Sequence, residues 1–257
     1  MTVNEVSRCI EPIKSDSEIR KLIDEFEKCI SDGEAKSYLL AYDGIIKYFR
    51  DDDHSDINDI VAKVFLVYGW MPTIPNLFKE KSINSHYSSY TINALPQITR
   101  TIQEITDETP VENIWSLLNK LRPIVNNSLV GTSKFLHFIN PEIFPIWDSN
   151  VAYNMYGFNT YYQFEKLENY KHYFLWIKCL RQSVNPKLKK QLSNQVKEAI
   201  ERQVGISVNT PSFTRVVELL CFYGLINHAR DLEDLLDRLK IIPTPIQKRS
   251  AIEVAQE

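Results

Sequence analysis

Three features of this 257-residue sequence predict an all-α fold. Only seven residues are glycine, whereas sheet-rich chains need many for their tight turns. Apolar residues recur at helical spacing along most of the chain. No stretch alternates apolar and polar residues between hairpin turns. The length suits one large domain, read as two helical lobes sharing a cleft, 15–122 and 123–240, with a tail over 241–257.

The first helix is expected over Ser17–Ile30, on the stripe Ile19, Leu22, Ile23, Phe26 and Ile30, capped by Ser15 or Ser17. Ser37–Phe49 follows, ended by the acidic turn Asp51 to Asp53. Asp56–Tyr68 closes at Gly69, and Pro72 and Pro75 prevent continuation. Weaker patterns over 79–109 are interrupted by Pro96 and Pro110. Val111–Leu121 carries Ile114, Trp115, Leu117, Leu118 and Leu121. Residues 126–133 read as a polar turn, and Lys134–Ile139 as a short helix after it. Asp148 opens a helix that reaches Tyr156 and ends at Gly157. Tyr162–Leu180, Pro186–Val204, Ser212–Tyr223 and Leu232–Leu239 complete the helices before the Pro243–Pro245 tail.

Composition excludes several classes. The apolar runs are broken by Lys63, Arg215 and Glu218, so no membrane span is expected. The opening MTVNEVSRCIEP lacks the apolar core of a signal peptide, which makes reducing cytoplasm the expected compartment. Cys9, Cys29, Cys179 and Cys221 form no CxxC pair, so neither a metal site, an iron–sulfur cluster nor another cofactor is expected. The net charge of −3 is unevenly spread: residues 1–60 hold eight basic and fifteen acidic side chains, and basic residues gather between Lys166 and Arg202. A basic face of this kind can hold a phosphate backbone, or can be a solvated helix surface.

The chemistry-bearing stretch is Ser128–Gly157. Its turn presents backbone N–H groups of Val130, Gly131, Thr132 and Ser133 at a helix start, an arrangement that favours an anion. Asp148 occupies an N-cap position, and Lys134 lies across a short connection from it, so both can face one cleft.

The run Val130-Gly131-Thr132-Ser133-Lys134, then an apolar helix, then Pro145-Ile146-Trp147-Asp148-Ser149-Asn150-Val151 and Tyr156-Gly157, resembles the helix-hairpin-helix DNA glycosylases. These are the endonuclease III, adenine glycosylase and 8-oxoguanine glycosylase relatives. The first hairpin glycine is replaced, and Lys134 and Asp148 stand fourteen positions apart, about one helical turn fewer than in typical members. The resemblance implies a helix-hairpin-helix-like element and base excision from double-stranded DNA by a monomer without an iron–sulfur cluster. Asp148 would stabilise the oxocarbenium-like sugar, and Lys134 would attack C1′ or hold the DNA. Val130, Gly131, Thr132, Ser133, Lys187, Lys189 and Lys190 would grip phosphates. Tyr68, Trp70, His137, Trp147, Asn150 and Tyr153 would line the pocket for the flipped base. The many aromatic and Asn residues suggest an unusual substrate, such as the glucosylated cytosine that anti-phage glycosylases excise. Asn76, Asn84, Asn150 and Asn154 would be its hydrogen-bond partners.

Each residue also has a structural explanation. Asp148 serves as a helix cap, Lys134 as a solvated first-turn lysine, His137 as a core histidine, and the aromatics as core filling. The alternatives to an enzyme are a DNA-binding module without chemistry and a helical adaptor that binds no nucleic acid.

Overall fold

The computed structural model describes residues 16–50, 56–70, 94–125 and 127–226, without the Asp16 and Tyr68 side chains. The structure is all-α: the described residues form eleven helices and no strand. In chain order these are α1 (Asp16–Cys29), α2 (Gly33–Arg50), α3 (Ile57–Gly69), α4 (Leu95–Gln103), α5 (Val111–Leu121) and α6 (Leu129–Ile139). Then follow α7 (Ser149–Tyr156), α8 (Tyr161–Phe164), α9 (Leu167–Ser183), α10 (Pro186–Val204) and α11 (Phe213–Phe222). None of the described helices is long and apolar enough to cross a membrane. Ser15, Ser55, Asp51 to Asp53, Pro72, Pro75, the expected helix Leu232–Leu239 and the Pro243–Pro245 tail lie outside the described residues.

The expected bounds of α5 and α10 match the structure, and three other starts move for identifiable reasons. The second helix begins four residues before Ser37, because the Asp32 carboxylate accepts the Ala35 N–H at 2.8 Å and caps it. Pro96 lies in the first turn of α4, where its missing N–H leaves no helical bond unmade, so it opens a helix and does not break one. The third change concerns the site. Residues 129–133 are not a turn. They are the first turn and a half of α6, whose N-cap Ser128 accepts the Gly131 N–H at 3.1 Å. The expected long helix Tyr162–Leu180 is instead two, α8 and α9, separated at Glu165 and Lys166.

The central element is α6, which packs against α2, α3 and α4. It is buried almost all round, with Leu129, Phe135, Leu136 and Phe138 in the core, as suits a helix surrounded by others. Helix α11 is equally enclosed and lies against α7, α9 and α10. Helix α10 joins the two groups by packing on α1 and α2 as well. Buried hydrophobics form one cluster that runs through both sides of the expected boundary at 122/123. Polar anchors hold the layers: Asn140 donates to the Ile102 and Ile105 carbonyls at 3.0 and 2.9 Å. Arg181 pairs with Asp107 at 2.7 Å and donates to the Ile143 carbonyl at 2.8 Å.

Candidate active site

Lys134 and Asp148 are brought together by the residues just before them. The Ser133 hydroxyl is within 3.0 Å of the Trp147 N–H, which donates to it, and within 3.1 Å of the Trp147 carbonyl. This clasp fixes the first turns of α6 against the approach to α7, so the next residue on each strand of the clasp enters the same hollow. Asp148 caps α7 by accepting the Val151 N–H at 3.0 Å, and the helix ends at Gly157, whose φ of +68° is a left-handed conformation natural to glycine. The indole of Trp147 is fully buried and donates to the Phe164 carbonyl at 2.6 Å, which ties α8 beneath the clasp.

The hollow is a cavity of about 520 Å³. Lys134, Asp148, Arg215 and Glu218 supply its charged interior, and Trp70, Tyr38, Tyr161 and Phe164 supply aromatic walls. The Lys134 Nζ lies 5.3 Å from the centre of the Trp70 ring, close enough for a cation–π contact. Arg215 and Glu218 form an ion pair one helical turn apart on α11, both buried. The Arg215 guanidinium lies 4.2 Å over the Tyr42 ring. Tyr42 in turn bonds His137 at 2.7 Å, and His137 bonds the Phe144 carbonyl at 2.6 Å through Nδ1. A carbonyl only accepts, so Nδ1 carries the hydrogen and Nε2 accepts from the tyrosine.

Burial dominates the electrostatics. It pulls Lys134 below the ordinary lysine value, against the opposing pull of the Asp148 and Glu218 carboxylates. It pushes Glu218 up to about 7, although Arg215 works to lower it. It pulls His137 down to about 3, with help from Arg215, so this histidine is neutral.

That last shift has a measurable consequence. The folded-state value of His137 is about 3 against an ordinary 6.5, so between these limits the unfolded chain binds a proton that the folded one refuses. Its contribution to stability is therefore intact above pH 6.5 and is lost as pH falls towards 3. Compared with His137→Gln, the native protein is expected to lose stability by about 1.4 kcal/mol per pH unit across this window. Urea unfolding at four pH values measures the difference, and parallel stability curves would refute it.

The other residues singled out in the sequence are placed as follows. Asn150 is exposed and lines the cavity beside Asp148. Val130 lines it too, half-buried. The expectation that Gly131, Thr132 and Ser133 present a bare anion site is corrected. All three are buried in α6, with the Thr132 hydroxyl donating to the Ser128 carbonyl and the Ser133 hydroxyl held in the clasp. The Leu129 N–H at this helix start donates to the Glu165 carboxylate at 2.7 Å, so an internal anion already fills the place. Trp147 and His137 are core residues and do not line the pocket. Tyr153 is 61% exposed and outside the cavity lining. Asn154 donates to the Cys221 and Phe222 carbonyls and tethers α7 to α11. The Tyr68 side chain, Asn76 and Asn84 lie outside the described residues.

Of the basic cluster, Lys187 and Lys190 are exposed, while Lys189 is half-buried and bonds the Arg181 carbonyl. Arg181 and Arg202 are engaged by Asp107 and Glu27. Arg215 and Glu218 were the residues that motif reading missed. Their signal was two charges three residues apart inside the otherwise apolar α11.

No protein-family model, curated protein or solved structure matches this chain.

Proposed function

We propose that the cavity is the active site of a DNA glycosylase that excises a flipped base from double-stranded DNA. The observation that carries the reading is the meeting of Lys134 and Asp148, fourteen positions apart, in one aromatic-walled hollow. The aromatic walls suit the faces of an unstacked base, and residues from both expected lobes, Tyr38 and Trp70 from one and Lys134 and Asp148 from the other, line the hollow. In this reading Asp148 supplies the carboxylate that stabilises positive charge growing on the sugar as the glycosidic bond lengthens. Lys134, its proton loosened by burial, attacks C1′ and forms a Schiff base, which adds strand cleavage to base release. The volume of about 520 Å³ leaves room for a base that carries a sugar, such as glucosylated hydroxymethylcytosine. Asn150 and Glu218 offer such a sugar hydrogen-bond partners.

The first turn of α6 is closed by Glu165, so the phosphates fall to exposed lysines, Lys187 and Lys190 among them. The same closure favours a second reading, a helical adaptor that binds no nucleic acid. Binding to DNA that weakens steeply with salt supports the first and excludes the second.

The decisive experiment incubates the full chain, acting as a cytoplasmic monomer, with duplexes carrying normal, damaged or glucosylated bases. Abasic sites and released bases are read by mass spectrometry. One class is expected to be cut, and borohydride added during turnover is expected to trap a DNA adduct on Lys134. Intact DNA across the whole panel sinks the proposal. Cleavage without an adduct reduces Lys134 to a contact residue.

A further inference from the structure

We infer that Glu218 is the proton partner of Lys134: a carboxylate within the same cavity that takes the ammonium proton when the amine acts as nucleophile and releases it to the departing group. The inference rests on the reading of Lys134 as a nucleophile and adds a residue from a helix that the sequence motif does not reach.

Of the carboxylates that line the cavity, Glu34, Asp148, Glu165 and Glu218, the last is the most enclosed. Glu218 lines the cavity and is only 1% exposed, so bulk water is a poor proton acceptor there. Asp148, the other interior carboxylate near Lys134, has one oxygen tied to the Val151 N–H as a helix cap. Glu165 is committed to Arg122 and the start of α6. One Glu218 oxygen is held by Arg215 on the same helix, and Arg215 is in turn braced on the Tyr42 ring.

Around Glu218 the charged and titratable groups are few. Arg215 on α11 favours its ionised form, as does Lys134 from α6, and Asp148 at the head of α7 opposes it. Tyr42 from α2, Tyr173 from α9, Cys221 on α11 and Tyr223 beyond it also sense it, and burial pushes all four groups upward. Burial thus moves the amine down and the acid up, to about 7, which narrows the gap in proton affinity between the two groups.

The step balances without an added reactant. The Lys134 ammonium passes one proton to the Glu218 carboxylate. The amine lone pair forms the N–C1′ bond as the glycosidic bond breaks, and that bond's electron pair leaves with the base. The base receives the proton back from the Glu218 carboxylic acid.

The test uses reductive methylation with formaldehyde and cyanoborohydride in the absence of DNA, with Lys134 labelling followed against pH by peptide mass spectrometry. In the native protein Lys134 is expected to label at lower pH than an ordinary lysine, because burial favours its neutral amine. Its profile is expected to show an inflection near 7 from Glu218, separate from that of the amine. In Glu218→Gln the labelling moves to lower pH, because a charge that retains the proton is gone. Base release falls in the same variant, and Glu218→Asp restores part of it. Circular dichroism checks each fold. A Lys134 profile identical in Glu218→Gln and native protein overturns the inference, as does parallel loss of labelling and activity. If Glu218→Gln does not fold, a single-step native profile overturns it. If no DNA is cut, the glycosylase reading fails, while the labelling shift still decides the pairing.

Discussion

Asp148→Asn is expected to slow base release by about 100- to 1,000-fold, the range found when one group aimed at developing charge is removed. Three features make this substitution selective. Asn is as good an N-cap as Asp, so the bond from the Val151 N–H is retained and α7 keeps its start. The lost charge at a helix N-terminus costs about 0.3–1 kcal/mol, a shift of a few degrees in Tm for a chain of this size. Finally, the Asp148 carboxylate raises the pKa of Lys134, so neutralising it leaves more free amine, not less. A fall in rate therefore reports the missing negative charge and not a protonated lysine. Single-turnover kinetics on the responsive DNA, with a thermal melt alongside, separates the outcomes. A variant that cuts at the native rate leaves Asp148 a cap and nothing more.

The fold and the site were legible in the sequence to different depths. Scarce glycine, helical periodicity and the lack of strand alternation carried the all-α class, and α5 and α10 could be bounded because a proline precedes each apolar stripe. The start of α6 lies five residues before the expected Lys134, because the run read as a polar turn continues the helix. Gly131 sits in ordinary helical backbone, and Ser128 supplies the cap. The separation of α8 from α9 had no local signal, since the Glu165 carboxylate reaches Ser128 and Leu129 only through the tertiary fold. Lys134 and Asp148 could be named from type and spacing, but the Ser133–Trp147 clasp that joins them is a long-range hydrogen bond. Arg215 and Glu218 were visible as misplaced charges in an apolar run, a pattern that conflicts with local consistency. Such conflicts gather at functional sites. What the sequence withheld was the face: nothing in α11 alone tells that those two side chains meet α6 and α7 across a cavity.

The same pair yields a stability effect whose pH dependence identifies its cause. Arg215→Met removes one partner of a buried ion pair and leaves Glu218 enclosed without compensation, a loss that grows by about 1.4 kcal/mol per pH unit above 7. The sign with pH follows from the acid. Glu218 is protonated in the folded state up to about 7, against an ordinary 4.5, so its burial is tolerated at low pH and becomes unfavourable as pH rises through 7. Arg215 holds that value down, so its removal raises it further and widens the range over which the folded protein must retain a proton. The destabilisation is therefore expected to be small at pH 5, where Glu218 is neutral with or without its partner, and greater by about 1.4 kcal/mol at pH 8. Adding Glu218→Leu to Arg215→Met is expected to return most of the loss, because two apolar side chains of similar bulk replace two desolvated charges. Denaturant unfolding of the three proteins at both pH values measures each term. A loss equal at pH 5 and pH 8 would show that Arg215 acts through packing on Tyr42 and not through Glu218. Because a pair of this kind adds little to stability over an apolar substitute, its position on the cavity wall beside Lys134 is better explained by proton chemistry than by folding.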